Sequence, residues 1–491
     1  MTGSIRSIFK DFLLYGGSDF AARLLGFVTL PIYTRVFSAG EYGMMSFMFS
    51  VTLLLASIVT IGGDQLYVRF YFEAADDRER ATITPTWILF IAAWGAAVTT
   101  LVLPWSESFA MWSFGRADYD TLIMIAVLGV PLSVLNRVCG HVLRARFRPG
   151  LGAVLNLATA VLSVVLGLVG AVPLGLGLVG IFGGVLVAEL LMLPLRLWSI
   201  RSLLALSFSF TFLRRALAFG FPLVPTLLAI WVFTMSDRVM LSQLASFEDV
   251  GRYGVAAALV SIISLANLAL TQALGPHAMS AYESTPAQAA VLYGRVLTYV
   301  LAGFGILCVV VTAFGAEIIM ILTTAEFHAG AQAVGPLALG LVAYATTQIT
   351  SLGAIVVKKT RYLALCSFLA AMANVAFNFF LIPRFGMMGA AWATMAAYVL
   401  LTLSYMIVSQ RLFAIAYETQ RALTAIGLVV VFTLAVPQLP TLEPVPLIFS
   451  KIGLVGVFFV LLFVLRILDW RTLSVLWGLL EVHRHRGKRD G

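Results

Sequence analysis

Apolar runs long enough to cross a bilayer recur about fourteen times in this chain, and that recurrence leaves few folds open to it. They fall at roughly 12 to 36, 44 to 70, 83 to 103, 119 to 142, 151 to 171, 176 to 198, 215 to 240, 253 to 274, 291 to 314, 334 to 357, 361 to 382, 387 to 410, 421 to 436 and 448 to 468. A helix spans a hydrocarbon core of about 30 Å with roughly 20 residues. No water is present there to bond a bare backbone, so every polar group must be satisfied within a helix or a closed barrel. A barrel would show alternating segments of about ten residues, which the sequence lacks. The expected fold class is therefore all-α, a polytopic membrane protein of about 14 transmembrane helices. Composition agrees: 61% of the 491 residues are hydrophobic and 11% charged, with a mean hydropathy of +0.99, whereas soluble domains are roughly a quarter charged.

The connections between the runs set the expected sides. With the N-terminus inside, the inner connections carry Arg6 and Lys10, Arg78 and Arg80, "RARFR" at 144 to 148, Arg196, Arg201, Arg214 and Arg215, "KKTR" at 358 to 361, Arg411, Arg421 and the basic tail. The outer ones hold little more than Arg116, Arg252, Arg384 and Lys451. This positive-inside asymmetry predicts an even number of spans with both termini cytoplasmic, and the expected location is the cell inner membrane. The connection at 275 to 290 is the exception, assigned inside yet nearly free of cations. The net charge of +9 then reflects topology and contact with anionic membrane lipids, with no nucleic-acid partner. The opening "MTGSIRSIFKD" shows no cleavage site and flows into the first run, so a retained cytoplasmic amino terminus is expected. Cys139, Cys308 and Cys366 lie in separate apolar runs and the five histidines are scattered. Neither a metal nor a cofactor is expected, and "HRHRGKRD" reads as a solvated basic tail.

Internal echoes suggest a repeat. "TRVFSAGEYG" at 34 to 43 matches "DRVMLSQLASFEDVGRYG" at 237 to 254, "GLVGIFGG" at 177 to 184 matches "GMMGAAWA" at 386 to 393, and "LRARFR" matches "VKKTR". Three echoes at similar displacement predict an N-terminal lobe of helices 1 to 6 (1–200), a C-terminal lobe of helices 7 to 12 (201–412), an additional helix pair (413–470) and a basic cytoplasmic tail (471–491).

Charges within the runs need a reason, since each costs roughly 2.5 to 3.5 kcal/mol at a helix centre on insertion scales. Asp19 and Arg23 sit four apart on one face of the first run, with Arg23 too deep to snorkel easily. Arg137 lies deep in the fourth, lining a cavity or reaching for the inner headgroups. Arg35 and Arg238 lie nearer outer ends, as ligand contacts or interfacial anchors. Glu189 is the isolated acid, an ion-coupling group with Asp19 or a hydrogen-bonded structural glutamate. Gln272 and Asn156 are candidates for a polar path, as are Gln348 and Asn378, or they bond across helices. Pro31, Pro222 and Pro225 interrupt the backbone ladder at comparable places in the two halves and are candidate hinges, although membrane helices tolerate proline generally.

The stretch "GFVTLPIYTRVFSAGEYG" at 26 to 43, "FPLVPTLLAIWVFTMSDRVML" followed by "VGRYG", and "IPRFGMMGAAWAT" at 382 to 394 resemble the polysaccharide transporter family, the Wzx-type oligosaccharide flippases of the multidrug, oligosaccharidyl-lipid and polysaccharide exporter superfamily. The resemblance implies two six-helix lobes around a central cavity, working by alternating access. It also implies a polyprenyl-pyrophosphate-linked oligosaccharide as cargo, for surface polysaccharide such as O-antigen or exopolysaccharide, and a polysaccharide polymerase or export complex as partner. The guanidiniums of Arg23 and Arg137 suit a pyrophosphate, and no nucleotide-binding motif is present. Two alternatives stay open. An ion-coupled drug or cation antiporter of the same superfamily would want an acidic cavity, and a membrane-embedded glycan polymerase or ligase would want a larger outer loop than 104 to 118 or 315 to 333. No enzyme activity is expected.

Overall fold

A computed structural model describes residues 25–74, 76–204, 207–439 and 444–468, and among them no strand occurs. The chain divides into two compact units, Met1–Gly254 and Val255–Gly491.

The first unit begins with α1 (25–36), which runs helical through Pro31. Helix α2 (Ala39–Thr60) starts at a reciprocal cap: the Ser38 hydroxyl accepts the Glu41 N–H and the Glu41 carboxylate accepts the Ser38 N–H, so two orphan donors are satisfied together. Left-handed Ile61 and Gly62 separate it from α3 (Gly63–Glu73). Then follow α4 (Asp77–Val102), α5 (Ser106–Phe114), α6 (Asp120–Ala145), α7 (Pro149–Ala171), α8 (Gly177–Ser199), α9 (Phe210–Gly220) and α10 (Val224–Leu244). An apolar core that includes Tyr67, Trp87, Ile91, Val134 and Phe212 ties α3, α4, α6 and α9 together. Helices α7 and α8 cross closely because glycines meet: a Cβ on Gly180 would stand 2.3 Å from the Gly170 carbonyl carbon, and one on Gly184 2.1 Å from the Gly167 nitrogen. With lipid as apolar as leucine, such close backbone approach is what holds membrane helices together.

Helix α11 (Phe247–Ser284) begins in the first unit and continues into the second, followed by α12 (Pro286–Leu322), α13 (Ala331–Thr350), α14 (Leu352–Val356), α15 (Arg361–Leu412), α16 (Thr419–Ala435) and α17 (Pro444–Val464). Helices α11 and α12 have 38 and 37 residues, or about 55 Å each, and only Thr285 parts them. The connection expected at 275 to 290 is thus almost wholly helical. Helix α15, at 52 residues, is two helices meeting at Gly386, whose φ of 52° and ψ of −132° leave the helical region.

Twelve segments of the described residues are long and apolar enough to cross a membrane. Dividing α15 at Gly386 makes thirteen among the described residues, and of the first expected run, 12 to 36, only 25–36 is described. In the second unit α17 is fastened to α12 by buried Lys451, which pairs with Glu317; Lys451 had read from sequence as an exposed outer cation. The connector after α15 is clamped as well. The Gln410 side chain bonds both the N–H and the C=O of Ile415 at 3.0 Å, and the Ala416 N–H donates to the Ala290 carbonyl.

Candidate functional site

Where α6, α7 and α8 pack, they assemble a polar cluster that no single stretch of sequence contains, with Asn136, Thr159 and Arg196 buried, Glu189 half-buried and Asn156 exposed. Asn136 of α6 turns its side-chain amide onto α8, donating to the Glu189 main-chain carbonyl at 2.9 Å and to the Glu189 carboxylate at 2.5 Å. Two turns along α8, on the same helical face, Arg196 is only 2% exposed. Its Nη1 donates to the Asn136 carbonyl at 3.1 Å and to Asn156 Oδ1 at 3.0 Å, and its Nη2 to Thr159 Oγ1 at 2.9 Å. Asn156 and Thr159 lie three apart on α7, so one helix face supplies both acceptors. Asn136 therefore bridges an acid and a base: its amide serves Glu189 and its main chain serves Arg196.

The cluster is incompletely satisfied. Asn136 Oδ1 and Arg196 Nε, in residues each 2% exposed, have no hydrogen-bond partner among the described residues. A buried polar atom left unmade costs about 1 to 3 kcal/mol, and such atoms in a native fold call for an explanation. Arg137, next to Asn136 on α6, is exposed, and its charge acts on Glu189 together with that of Arg196.

The candidates from sequence divide accordingly. Glu189 and Asn156 belong to this cluster, with Arg137 beside it. Asp19 and Arg23 lie outside the described residues. Arg35 is exposed and its Nη1 donates to the Pro31 carbonyl at 2.8 Å, while Arg238 donates to the Thr234 carbonyl at 2.9 Å, the same four-residue reach backward in both copies of the echo. Arg238 also meets Asp237 at 3.3 Å and lies 5.7 Å from the Tyr253 ring centroid, and the Tyr253 hydroxyl donates to buried Asp237. Gln272 is exposed on α11, and buried Asn378 donates to Asn374 one turn away. Pro222 lies in a 3-10 turn, Phe221–Leu223, that separates α9 from α10, and Pro225 in the first turn of α10. Pro31 does not match them, since α1 stays helical across it; a proline can bend a membrane helix without ending it.

Arg196 is the residue that sequence reasoning missed. At the end of an apolar run, near Trp198 and Arg201, it reads as a headgroup cation. The available signal was its seven-residue spacing from Glu189, which places both charges on one face of α8.

A family described as "Polysaccharide biosynthesis protein" matches residues 8–282, a span that contains the whole cluster. Solved structures share the fold. The lipid II flippase MurJ in an inward closed conformation superposes with a TM-score of 0.70 at 15% identity, over 92% of this chain and 99% of its own. An inward-facing multidrug resistance MATE family transporter of the MOP superfamily gives 0.65 at 14% identity, over 81% and 94%, and an outward-facing one gives 0.61 at 14%, over 83% and 97%. No curated protein matches the chain.

Proposed function

The chain belongs to the polysaccharide biosynthesis protein family, and on that premise we propose that it is a flippase. Its cargo is an oligosaccharide on a polyprenyl-pyrophosphate carrier, moved by alternating access from the cytoplasmic to the outer leaflet of the inner membrane, with both termini cytoplasmic. The observation that carries this reading is the buried guanidinium of Arg196, held with Glu189 among amides and a hydroxyl inside the family-matched segment. Guanidinium groups suit the fixed geometry of phosphate oxygens, and intramembrane charges by default mark a path for substrate or ion. Arg137 and Arg23 are assigned to the diphosphate, with Arg35, Arg238, Gln272 and Asn156 along the sugar path, Asp19 and Glu189 to ion coupling, and Pro31, Pro222 and Pro225 to bending. A polysaccharide polymerase or export complex takes the product.

Deletion in the native host, followed by analysis of lipid-linked glycans, tests the reading. Accumulation of one polyprenyl-diphosphate oligosaccharide in the inner leaflet, reversed by the intact chain but not by Arg137→Ala, is the expected result. Unchanged glycan lipids with altered tolerance to cationic drugs would instead favour an antiporter.

A further inference from the structure

The geometry points to Glu189 as a proton-binding carboxylate, linked through Asn136 to capture of a diphosphate anion at Arg196 and Arg137; this rests on the lipid-diphosphate reading above. The argument starts from the two leftover atoms. A polar cluster serving only the fold would close its hydrogen bonds, yet here one acceptor, Asn136 Oδ1, and one donor, Arg196 Nε, are unused in two residues that are each 2% exposed. The Asn136 amide is committed to Glu189 through its Nδ2, a bond that requires the carboxylate to accept.

A proton arriving on Glu189 converts one carboxylate oxygen from acceptor to donor. Rotation of the Asn136 amide then presents Oδ1 to that new O–H, and the bond is remade with its roles exchanged. The carboxylate charge is gone, while Arg196 and Arg137 keep theirs. Arg196 Nε and the released Asn136 Nδ2 become free N–H donors beside an unbalanced guanidinium, which is the donor set that a phosphate oxygen accepts from. Loss of the proton restores the Glu189 carboxylate as the internal counter-anion and expels the bound one.

Other titratable groups lie on the packed helices, among them His141 on α6 one turn beyond Arg137, and the comparison with Glu189→Gln separates Glu189 from them. From α6 Glu189 meets the charge of Arg137, and Cys139 lies near Arg196; along α8 it meets Arg196; α7 carries no titratable side chain.

The test uses the full chain in phosphatidylcholine nanodiscs, with farnesyl diphosphate and inorganic diphosphate as probes. Calorimetry in buffers of different ionisation heat counts the protons taken up on binding. The wild-type protein should take up about one more proton per farnesyl diphosphate than Glu189→Gln, and its affinity should weaken by up to about tenfold per pH unit toward alkaline pH, relative to a flatter profile for the variant. Comparison with the variant removes the ligand's own titration. Linkage shared by inorganic diphosphate, or confined to the prenyl lipid, supports the proposal in either form and tells a free phosphate from a lipid head group. Arg196→Gln, or Arg137→Gln if the first does not fold, should weaken binding at every pH. Equal proton uptake by wild type and Glu189→Gln, or parallel pH profiles, would overturn the linkage while leaving the flippase reading intact. Failure of the wild type to bind either probe at any pH would remove both.

Discussion

Left-handed residues mark matching places in the two units: Phe147 between α6 and α7 and Gly177 at the start of α8 in the first, Lys358 between α14 and α15 and Gly386 within α15 in the second. Counting from those marks, Asn156 corresponds to Ser367, Gly180 to Gly389, Glu189 to Tyr398 and Arg196 to Tyr405. Both members of each close pairing survive: Arg196 bonds Asn156, and the Ser367 and Tyr405 hydroxyls share a bond of 2.6 Å. The chemistry does not survive. Around Tyr398 the second unit has the Tyr344 ring, 4.9 Å between centroids, and a Thr346–Thr402 hydroxyl pair. Along α13 there is no charged residue, and along α15 only Arg361, Arg384 and Arg411. The same helix frame thus packs with hydroxyls and rings in one place and with an acid, a base and two orphan atoms in the other. Packing alone does not account for the charges, which is why the cluster and not its counterpart is read as functional.

The largest expected difference between the two regions comes from removing the base. Arg196→Ala leaves buried Thr159 and the Asn136 carbonyl without their charged donor, and a hydrogen bond to a charged group is worth about 1.5 to 3 kcal/mol. Tyr405→Phe at the matching position loses one neutral hydrogen bond, about 1 kcal/mol. Thermal unfolding of the two variants in detergent should separate them clearly, and only Arg196→Ala should lose export. Equal melting temperatures would mean that the guanidinium is not held as described.

The shared frame can be tested apart from its chemistry. A Cβ on Gly180 meets the Gly170 backbone at 2.3 Å, and one on Gly389 meets the Leu381 carbonyl oxygen at 2.3 Å. Gly180→Val and Gly389→Val should therefore each destabilise by about 1 to 3 kcal/mol through overpacking. A variant that is harmless in one unit and severe in the other would break the correspondence on which the comparison stands.

Conservative replacement of the acid should be milder for stability. In Glu189→Gln the new amide oxygen still accepts from Asn136, so unfolding should shift by no more than about 1 kcal/mol, with export altered out of proportion to that shift. A collapse in stability would recast Glu189 as a structural residue.

How much of this could be read from sequence differs between frame and site. Hydropathy is summed over some twenty residues, so the spans from α2 to α17 were legible, and the Gly386 break was visible as an echo of Gly177. Glu189, Asn156 and Arg137 stood out singly because each is polar in an apolar run. Their grouping did not, because the face that a helix turns inward is settled by neighbours far along the chain, here the glycine crossing of α7 and α8. Arg196 was hidden by position, near the end of its run where a cation needs no explanation. The hairpin of α11 and α12 was misread as a connection because residues such as Tyr282, Glu283 and Ser284 suit a loop and a protruding helix equally.

The smallest effect concerns a polar group outside both the cluster and its counterpart. Tyr417 lies in the connector between α15 and α16, and its hydroxyl is buried with no hydrogen-bond partner among the described residues. Burial pushes its phenol up to about 12. A raised pKa of this kind favours the neutral form in the fold, so its contribution is complete below the ordinary phenol value of about 10 and is lost as pH rises from there through about 12. Tyr417→Phe deletes an unsatisfied hydroxyl and should leave stability at neutral pH unchanged or higher by about 1 kcal/mol, while flattening the alkaline limb of the unfolding profile. A loss of stability at neutral pH would show that the hydroxyl is bonded after all. The contrast with Asn136 and Arg196 would then sharpen: a lone buried hydroxyl finding its own partner, against two orphan atoms in one hydrogen-bonded cluster with Glu189.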